Sequence, residues 1–289
     1  MSFRTVMISS RCKLDLRMNY LEVRSDETKK ILLDDIDTLI IENPAVSITG
    51  CLLSALMEKK IKVIFCDNKR NPQAEMIPYY GSYDCSRKIK TQIAWEESIK
   101  GDVWTKIVEE KIRKQAQFLQ ELGYVRESEL LVSYTEQLEY RDETHREGHA
   151  AKVYFNALFR MDFTRNDDNA TNAALNYGYA LILSAINREV VALGYNTELG
   201  LFHDNIYNPF NISCDIMEPL RILIDRFVYQ QRFKKFEKEE KPKLLEVLQL
   251  DIKIGGTRQV LTNGIRIYVR SVFDALCEKD TSMLLFYEV

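Results

Sequence analysis

The chain has 289 residues, of which 46% are hydrophobic and 29% charged, with only 11 glycines and 6 prolines. That balance belongs to a globular protein of one large or two smaller domains and excludes collagen-like and disordered classes. The formal net charge of −3 rules out a protein-wide basic field and leaves any contact with nucleic acid to local groups of Lys and Arg.

No apolar run approaches the ~20 residues of a membrane span; the best, YALILSAI, stops at Asn187. The opening MSFRTVMISS lacks the apolar core and small-residue cleavage site of a secretory signal. The expected location is cytoplasmic, with no membrane contact. Cysteines stand at 12, 51, 66, 85, 214 and 277, too far apart for a zinc or redox motif. They are expected to be reduced, half-buried packing residues.

The first elements read as strands. FRTVMIS is one. KLDLRMNYLEVRS alternates with period two on either side of Met18-Asn19, the pattern of a hairpin. DTLIIEN is another strand. SITGCLLSALMEKK is an apolar-striped helix with Ser47 at its N-cap, and IKVIFCD is a fully apolar strand. Turn formers crowd residues 67–84, so 71–85 is expected to link a domain over 1–70 to one over 86–289. Past Ser86 the periodicity is helical. Segments are expected around Trp95, over Trp104–Leu122 and Glu127–Tyr140, and over 144–160, 171–193 (closed by Gly194) and 216–236. GTRQVLTNGIRIYVRSVFDALCEK ends in one more helix. The fold class is α+β, a small β-rich domain followed by a larger all-α one.

Three stretches draw attention. In HREGHAAKVYFNALF, Glu147, Ala150, Ala151, Tyr154, Phe155 and Leu158 share one helical stripe. A carboxylate heading an apolar stripe is costly to bury unless paired or metal-bound, or it lies in the solvated first turn, where the helix dipole favours an acid. His203 follows Gly200, Leu201 and Phe202 in a loop with Asp204, Asn205, Asn208 and Asn211. It reads as a metal ligand or acid–base group, or as a hydrogen-bonded loop histidine. Asp215 and Glu218 resemble a capping box, with Pro219 suited to a first turn. With one imidazole they would also suit a hard divalent cation such as Mg²⁺ or Mn²⁺. His145 and His149 flank Glu147 but point elsewhere on a helix, and read as surface residues.

At these residues the chain resembles a known family. REGHAAKVYF (146–155), LNYGYALILSAINREV (175–190), LGYNTELGLFH (193–203) and SCDIMEPLR (213–221) resemble the universal CRISPR-associated spacer-acquisition integrase, an endonuclease of CRISPR adaptation. RTVMIS, IKVIFCD and PYYG fit it as well, and the EGHAA and DIMEP forms look like its type II-A branch. The resemblance implies a β-domain that dimerises and a helical catalytic domain. It implies that Glu147, His203 and Glu218 are catalytic and bind Mg²⁺ or Mn²⁺, with Asp215 as a further acid. Many family members carry Asp where this chain has Glu218. Tyr177, with Asn176 beside it, matches a family tyrosine near the reactive DNA end.

The implied reaction is transesterification, in which a 3′-hydroxyl of captured DNA attacks a phosphodiester at a repeat border. The implied partners are prespacer and CRISPR-repeat DNA, a second copy of the chain, and a dimer of a small Cas protein. Arg146 and Lys152 are candidate DNA contacts, as are RFKKFEKEEKPK (232–243), Arg258, Arg266 and Arg270. Ser213 and Cys214 have no base placed beside them and make poor nucleophiles. Two rival readings are a general metal-dependent nuclease and a non-catalytic DNA-bridging scaffold.

Overall fold

A computed structural model describes residues 4–68, 70–76 and 82–288. The chain divides into two compact units, Met1–Tyr79 and Tyr80–Val289; the first is β-rich and the second mostly helical.

The first unit contains β1 (Arg4–Ile8), β2 (Lys13–Arg17), β3 (Tyr20–Arg24), β4 (Thr28–Leu32), β5 (Ile36–Ile41), β6 (Ser47–Ile48), helix α1 (Gly50–Glu58), β7 (Lys62–Cys66) and β8 (Pro72–Met76). One sheet has the order β1-β5-β7-β8, parallel except for β8. The other has the order β4-β3-β2-β6. Interior strands of a mostly parallel sheet are covered on both faces, and Leu39, Ile40 and Val63 are accordingly buried. The core joins Leu14 and Leu21 of β2 and β3 to Leu52 and Leu56 of α1 and to Leu39 and Val63.

The expected hairpin is present. Arg17 pairs with Tyr20, and Met18 and Asn19 both take positive φ, 47° and 67°, a two-residue turn whose twist matches its strands. Two readings need correction. Ser47 caps nothing, because it lies in β6 opposite Lys13, and α1 starts at Gly50 with no side-chain cap. Residues 72–76, read as linker, form β8 against β7. Residues 77–81, which include all of PYYG, lie outside the described residues. β4 went unnoticed because TKKIL shows lysines to solvent, as edge strands do.

The second unit contains α2 (Cys85–Ile93), α3 (Glu97–Glu121), α4 (Val125–Glu136), α5 (Arg146–Phe159), α6 (Ala170–Ala192), α7 (Asn211–Ile216), α8 (Arg221–Gln231), α9 (Lys241–Leu244), the hairpin β9 (Asp251–Ile254) and β10 (Thr257–Val260), and α10 (Leu261–Glu278). α3 is its spine: Trp104, Ile107, Val108, Ile112 and Leu119 are fully buried, and the helix packs against α4, α5, α8 and α10. α6 opens on Asn169, whose Oδ1 accepts the Asn172 N–H, and closes ahead of Gly194 at φ 87°.

The helix expected over 216–236 is instead three pieces: α7, a 3₁₀ turn over Glu218–Leu220, and α8, which stops at Gln231 before Arg232 at φ 48°. Pro219 explains the break, since it has no N–H to return to the Asp215 carbonyl. The hairpin ahead of α10 turns on Gly255 and Gly256, both at positive φ; GTRQV had read only as a lead-in to the helix. Cys12 and Cys66 are buried and Cys85 and Cys214 half-buried, but Cys51 and Cys277 are exposed. Among the described residues no helix is long and apolar enough to cross a membrane.

Candidate active site

Glu147 stands in the first turn of α5, and its approach is unusual. Arg141, Asp142 and His145 all hold left-handed backbone, at φ 58°, 56° and 54°, a conformation that costs a side-chain-bearing residue of the order of 1 kcal/mol. Asp142 turns its carboxylate onto the helix end, where Oδ1 accepts the Arg146 N–H at 2.6 Å and Oδ2 the Glu147 N–H at 3.1 Å. Two otherwise unpaired donors of the first turn are thereby satisfied. The Glu147 side chain is neither fully solvated nor buried, at 25% exposure, and its Oε1 accepts from Lys111 Nζ at 2.5 Å.

Lys111 arrives from α3. Its position lies on the buried face of Trp104, Ile107, Val108, Gln115 and Phe118, so the helix drives the ammonium inward. The same Nζ donates to Glu218 Oε2, also at 2.5 Å. The two acids are thus clamped on one cation, their oxygens no further apart than twice that distance. Glu218 Oε1 in turn accepts from Arg221 Nε at 2.9 Å. Burial alone pushes a carboxyl up. Around Glu218 the charges of Arg221 and Lys111 and their hydrogen bonds outweigh it and hold the group at about 2. Neither Asp215 nor Glu218 caps a helix: the break at Pro219 sends Glu218 to this cluster and Asp215 to another.

Asp215 is fully buried and organises the His203 loop. Its Oδ2 accepts the N–H of Leu201 at 2.6 Å and of Phe202 at 3.1 Å, and its Oδ1 accepts the His203 N–H at 3.2 Å. His203 Nδ1 lies 2.5 Å from Oδ1. A carboxylate can only accept, so Nδ1 carries the hydrogen and Nε2 is left as the ring nitrogen for a ligand. The loop passes so close that a Cβ at Gly200 would collide with the His203 carbonyl and press on Asp215 Oδ2; only glycine fits. Phe202 stacks on Trp104 at 4.7 Å between centroids, and the imidazole meets both rings edge-on. His203 titrates above its usual value, chiefly through the Asp215 hydrogen bond, against burial and with help from Glu218 and Glu147. All three acids therefore act on one imidazole.

Glu147 and Glu218 line a cavity of about 240 Å³ with Lys111, Arg165, Tyr179, Arg221 and Asp225 among its other walls. Part of its wall is aromatic. The Arg165 guanidinium lies over the rings of Phe155 and Tyr179 and donates to the side chains of Asn172 and Asn176. The Tyr179 hydroxyl donates to buried Asp225, whose carboxyl burial raises to about 6.

The other sequence candidates scatter. Arg146 lies over the Tyr134 ring, Lys152 is exposed on α5, and Asn176 is exposed beside Arg165. Tyr177 is buried against Phe236, with Lys241 over its ring. His145, His149, Arg258, Arg266 and Arg270 are exposed. Residues 232–240 are irregular rather than helical. Burial raises the Cys214 thiol, away from the reactive thiolate. Lys111, Arg221, Arg165, Asp142 and Asp225 were missed. For Lys111 a signal existed, a lone cation on an apolar helical stripe.

These residues fit a hard divalent cation in part as they stand. Two carboxylates already share one positive charge, and both act through space on the oriented His203 imidazole. With the Lys111 ammonium between the acids, no three His, Cys, Asp or Glu side chains converge closely enough to hold a metal ion among the described residues.

Comparison with known proteins adds an independent line. Residues 6–247 match the profile of the family described as "CRISPR associated protein Cas1". The chain is 37% identical to the CRISPR-associated endonuclease Cas1 of Neisseria meningitidis serogroup C (strain 8013), over 100% of this chain and 97% of that one. Its fold superposes on a casposase bound to integration product with a TM-score of 0.79, at 16% identity, covering 97% of this chain and 92% of the other. It superposes likewise on a chain of a Cas6-RT-Cas1–Cas2 complex with a TM-score of 0.76, at 16% identity, covering 100% of this chain and 36% of that longer one.

Proposed function

The chain belongs to the CRISPR associated protein Cas1 family, and from that premise we propose that it is a divalent-metal-dependent DNA integrase of CRISPR adaptation, joining a DNA 3′-hydroxyl to a phosphodiester at a repeat border. The observation that carries this reading is the meeting of Glu147 and Glu218 on one cation, within electrostatic reach of His203. The EGHAA and DIMEP sequences support a type II-A assignment within the family.

In this reading Glu147, Glu218 and His203 Nε2 hold Mg²⁺ or Mn²⁺. When bound, such a cation draws charge from the phosphoryl oxygens and stabilises the leaving alkoxide. Asp215 is a positioning residue rather than a ligand: it fixes the imidazole through Nδ1–H, as outer partners of metal-binding histidines do. Arg221 and Arg165 line the same cavity and can pair with phosphate, Arg165 presented flat by its aromatic supports. No protein nucleophile is needed. Phosphate contacts dominate binding, so affinity falls steeply with salt. The complex named for the superposed structure supports Cas2 as the partner. A homodimer formed through the β-rich unit and a cytoplasmic location complete the proposal.

The deciding experiment incubates the full chain, with and without its Cas2 partner, with a duplex bearing free 3′ ends and a repeat-containing plasmid. Mn²⁺ or Mg²⁺ should yield joined strands; chelator or Glu147→Gln should yield none. Cleavage without joining would favour a general nuclease, and DNA binding with neither would favour a scaffold.

A further inference from the structure

A metal-binding reading leaves Lys111 without a role. Its ammonium lies 2.5 Å from Glu147 Oε1 and 2.5 Å from Glu218 Oε2. Its side chain is 9% exposed and that of Glu218 5%, so this is a desolvated cluster rather than a surface ion pair. Two carboxylates brought this close repel one another unless a positive charge sits between them, and burial sharpens the penalty. Arg221 answers only one oxygen of Glu218. Among the described residues, Lys111 is the cation paired with both acids.

Its charge is also balanced. Two acids and two bases, Glu147 and Glu218 with Lys111 and Arg221, make a formally neutral group. A divalent ion added to that group with Lys111 in place would leave it at +2, in a site with little water to screen it. A divalent ion held by Glu147 and Glu218 would compete for the carboxylates that now accept from Lys111.

We infer that Lys111 is an internal placeholder cation: it holds Glu147 and Glu218 together in the metal-free protein and must withdraw its ammonium for a divalent ion to enter. This rests on the metal-site reading above and adds to it a built-in competitor that sets how tightly the metal is held. α3 can accommodate the exchange without moving, because a lysine has four rotatable bonds between its backbone and its nitrogen.

The test is direct Mn²⁺ binding, by calorimetry and by loss of the free Mn²⁺ resonance signal, to the full chain and two variants. Lys111→Met removes the competitor and keeps the apolar stem; it should bind Mn²⁺ at least about ten-fold tighter than wild type, the scale set by one contacting charge. Lys111→Arg keeps the charge and grips carboxylates with a fixed fork; it should bind Mn²⁺ more weakly than wild type. Should the methionine variant not fold without metal, the arginine variant, which retains both ion pairs, still decides the matter. Equal affinities in all three proteins, or a weaker methionine variant, would overturn the inference while leaving the metal site standing. Absence of Mn²⁺ binding in every protein would overturn both.

Discussion

Two acids that line the cavity in the helical unit behave in opposite ways. Glu218 and Asp225 are both buried carboxyls. One is held at about 2 and the other raised to about 6. Burial pushes both upward. Around Glu218 two cations in direct hydrogen-bond contact, Arg221 and Lys111, reverse the push. Asp225 has the Tyr179 hydroxyl in contact, with Arg221 and Arg165 acting only through space, so burial prevails. What sets the pH at which a buried acid takes up a proton is the partner that touches it, not its depth alone. Below about pH 6 only Glu218 keeps the charge that a divalent cation requires.

The largest expected effect tests that asymmetry in function. Glu147→Gln, Glu218→Gln or His203→Ala should lower single-turnover strand joining by about 10³-fold or more, the scale of losing a central charge-stabilising group. Asp225→Asn should stay within about ten-fold of wild type, since the amide still accepts the Tyr179 hydroxyl. Comparable losses at both acids would break the comparison.

Next in size is stability against pH. Asp225 has its folded pKa raised from 3.8 to about 6. The folded state therefore holds a proton that the unfolded state releases. That contribution is complete below pH 3.8 and is lost as pH rises through 6, about 3 kcal/mol at roughly 1.4 kcal/mol per pKa unit. Glu218 has the opposite sign: lowered from 4.5 to about 2, it stabilises above pH 4.5 and stops doing so as pH falls toward 2. Urea unfolding at pH 3.5, 5 and 7 separates them. Asp225→Asn should gain on wild type between pH 4 and 7, and a constant difference across that range would remove the asymmetry.

A smaller effect is expected one shell out. Asp215→Asn keeps a buried polar group but cannot accept all that the carboxylate accepts from Leu201, Phe202 and His203. Mn²⁺ affinity should fall about 10–100-fold, as on loss of other outer partners of metal ligands. A variant binding Mn²⁺ like wild type would show that the imidazole needs no such support.

The same contrast explains what could be read from the sequence. Met18-Asn19 was legible as a turn because alternation breaks there and nowhere else nearby. Glu147 was legible as the odd member of an apolar stripe. His203, Asp215 and Glu218 stood out by motif. Their division of labour did not, because it depends on where the chain bends: Pro219 interrupts the helix and turns the two acids apart. Lys111 joins residues 36 and 107 positions away, a pairing that no local pattern encodes. Asp142 caps α5 from left-handed backbone, a conformation that residue type alone does not announce.

Surface charge should matter least, and that too is measurable. Lys152 is exposed on α5, five positions past Glu147 and so well around the helix from it. An exposed lysine touching phosphate contributes one released counterion, whatever the DNA sequence. Lys152→Ala should lower DNA affinity a few-fold, uniformly across sequences, and reduce the slope of log K against log salt by about 0.9. Arg165→Ala removes a guanidinium already fixed by Asn172, Asn176 and two rings. It should cost joining rate as well as affinity, because a charge held in place orients a phosphate while a mobile one only attracts it. If Lys152→Ala slowed joining as much as Arg165→Ala did, orientation within the cavity would have no advantage over charge outside it.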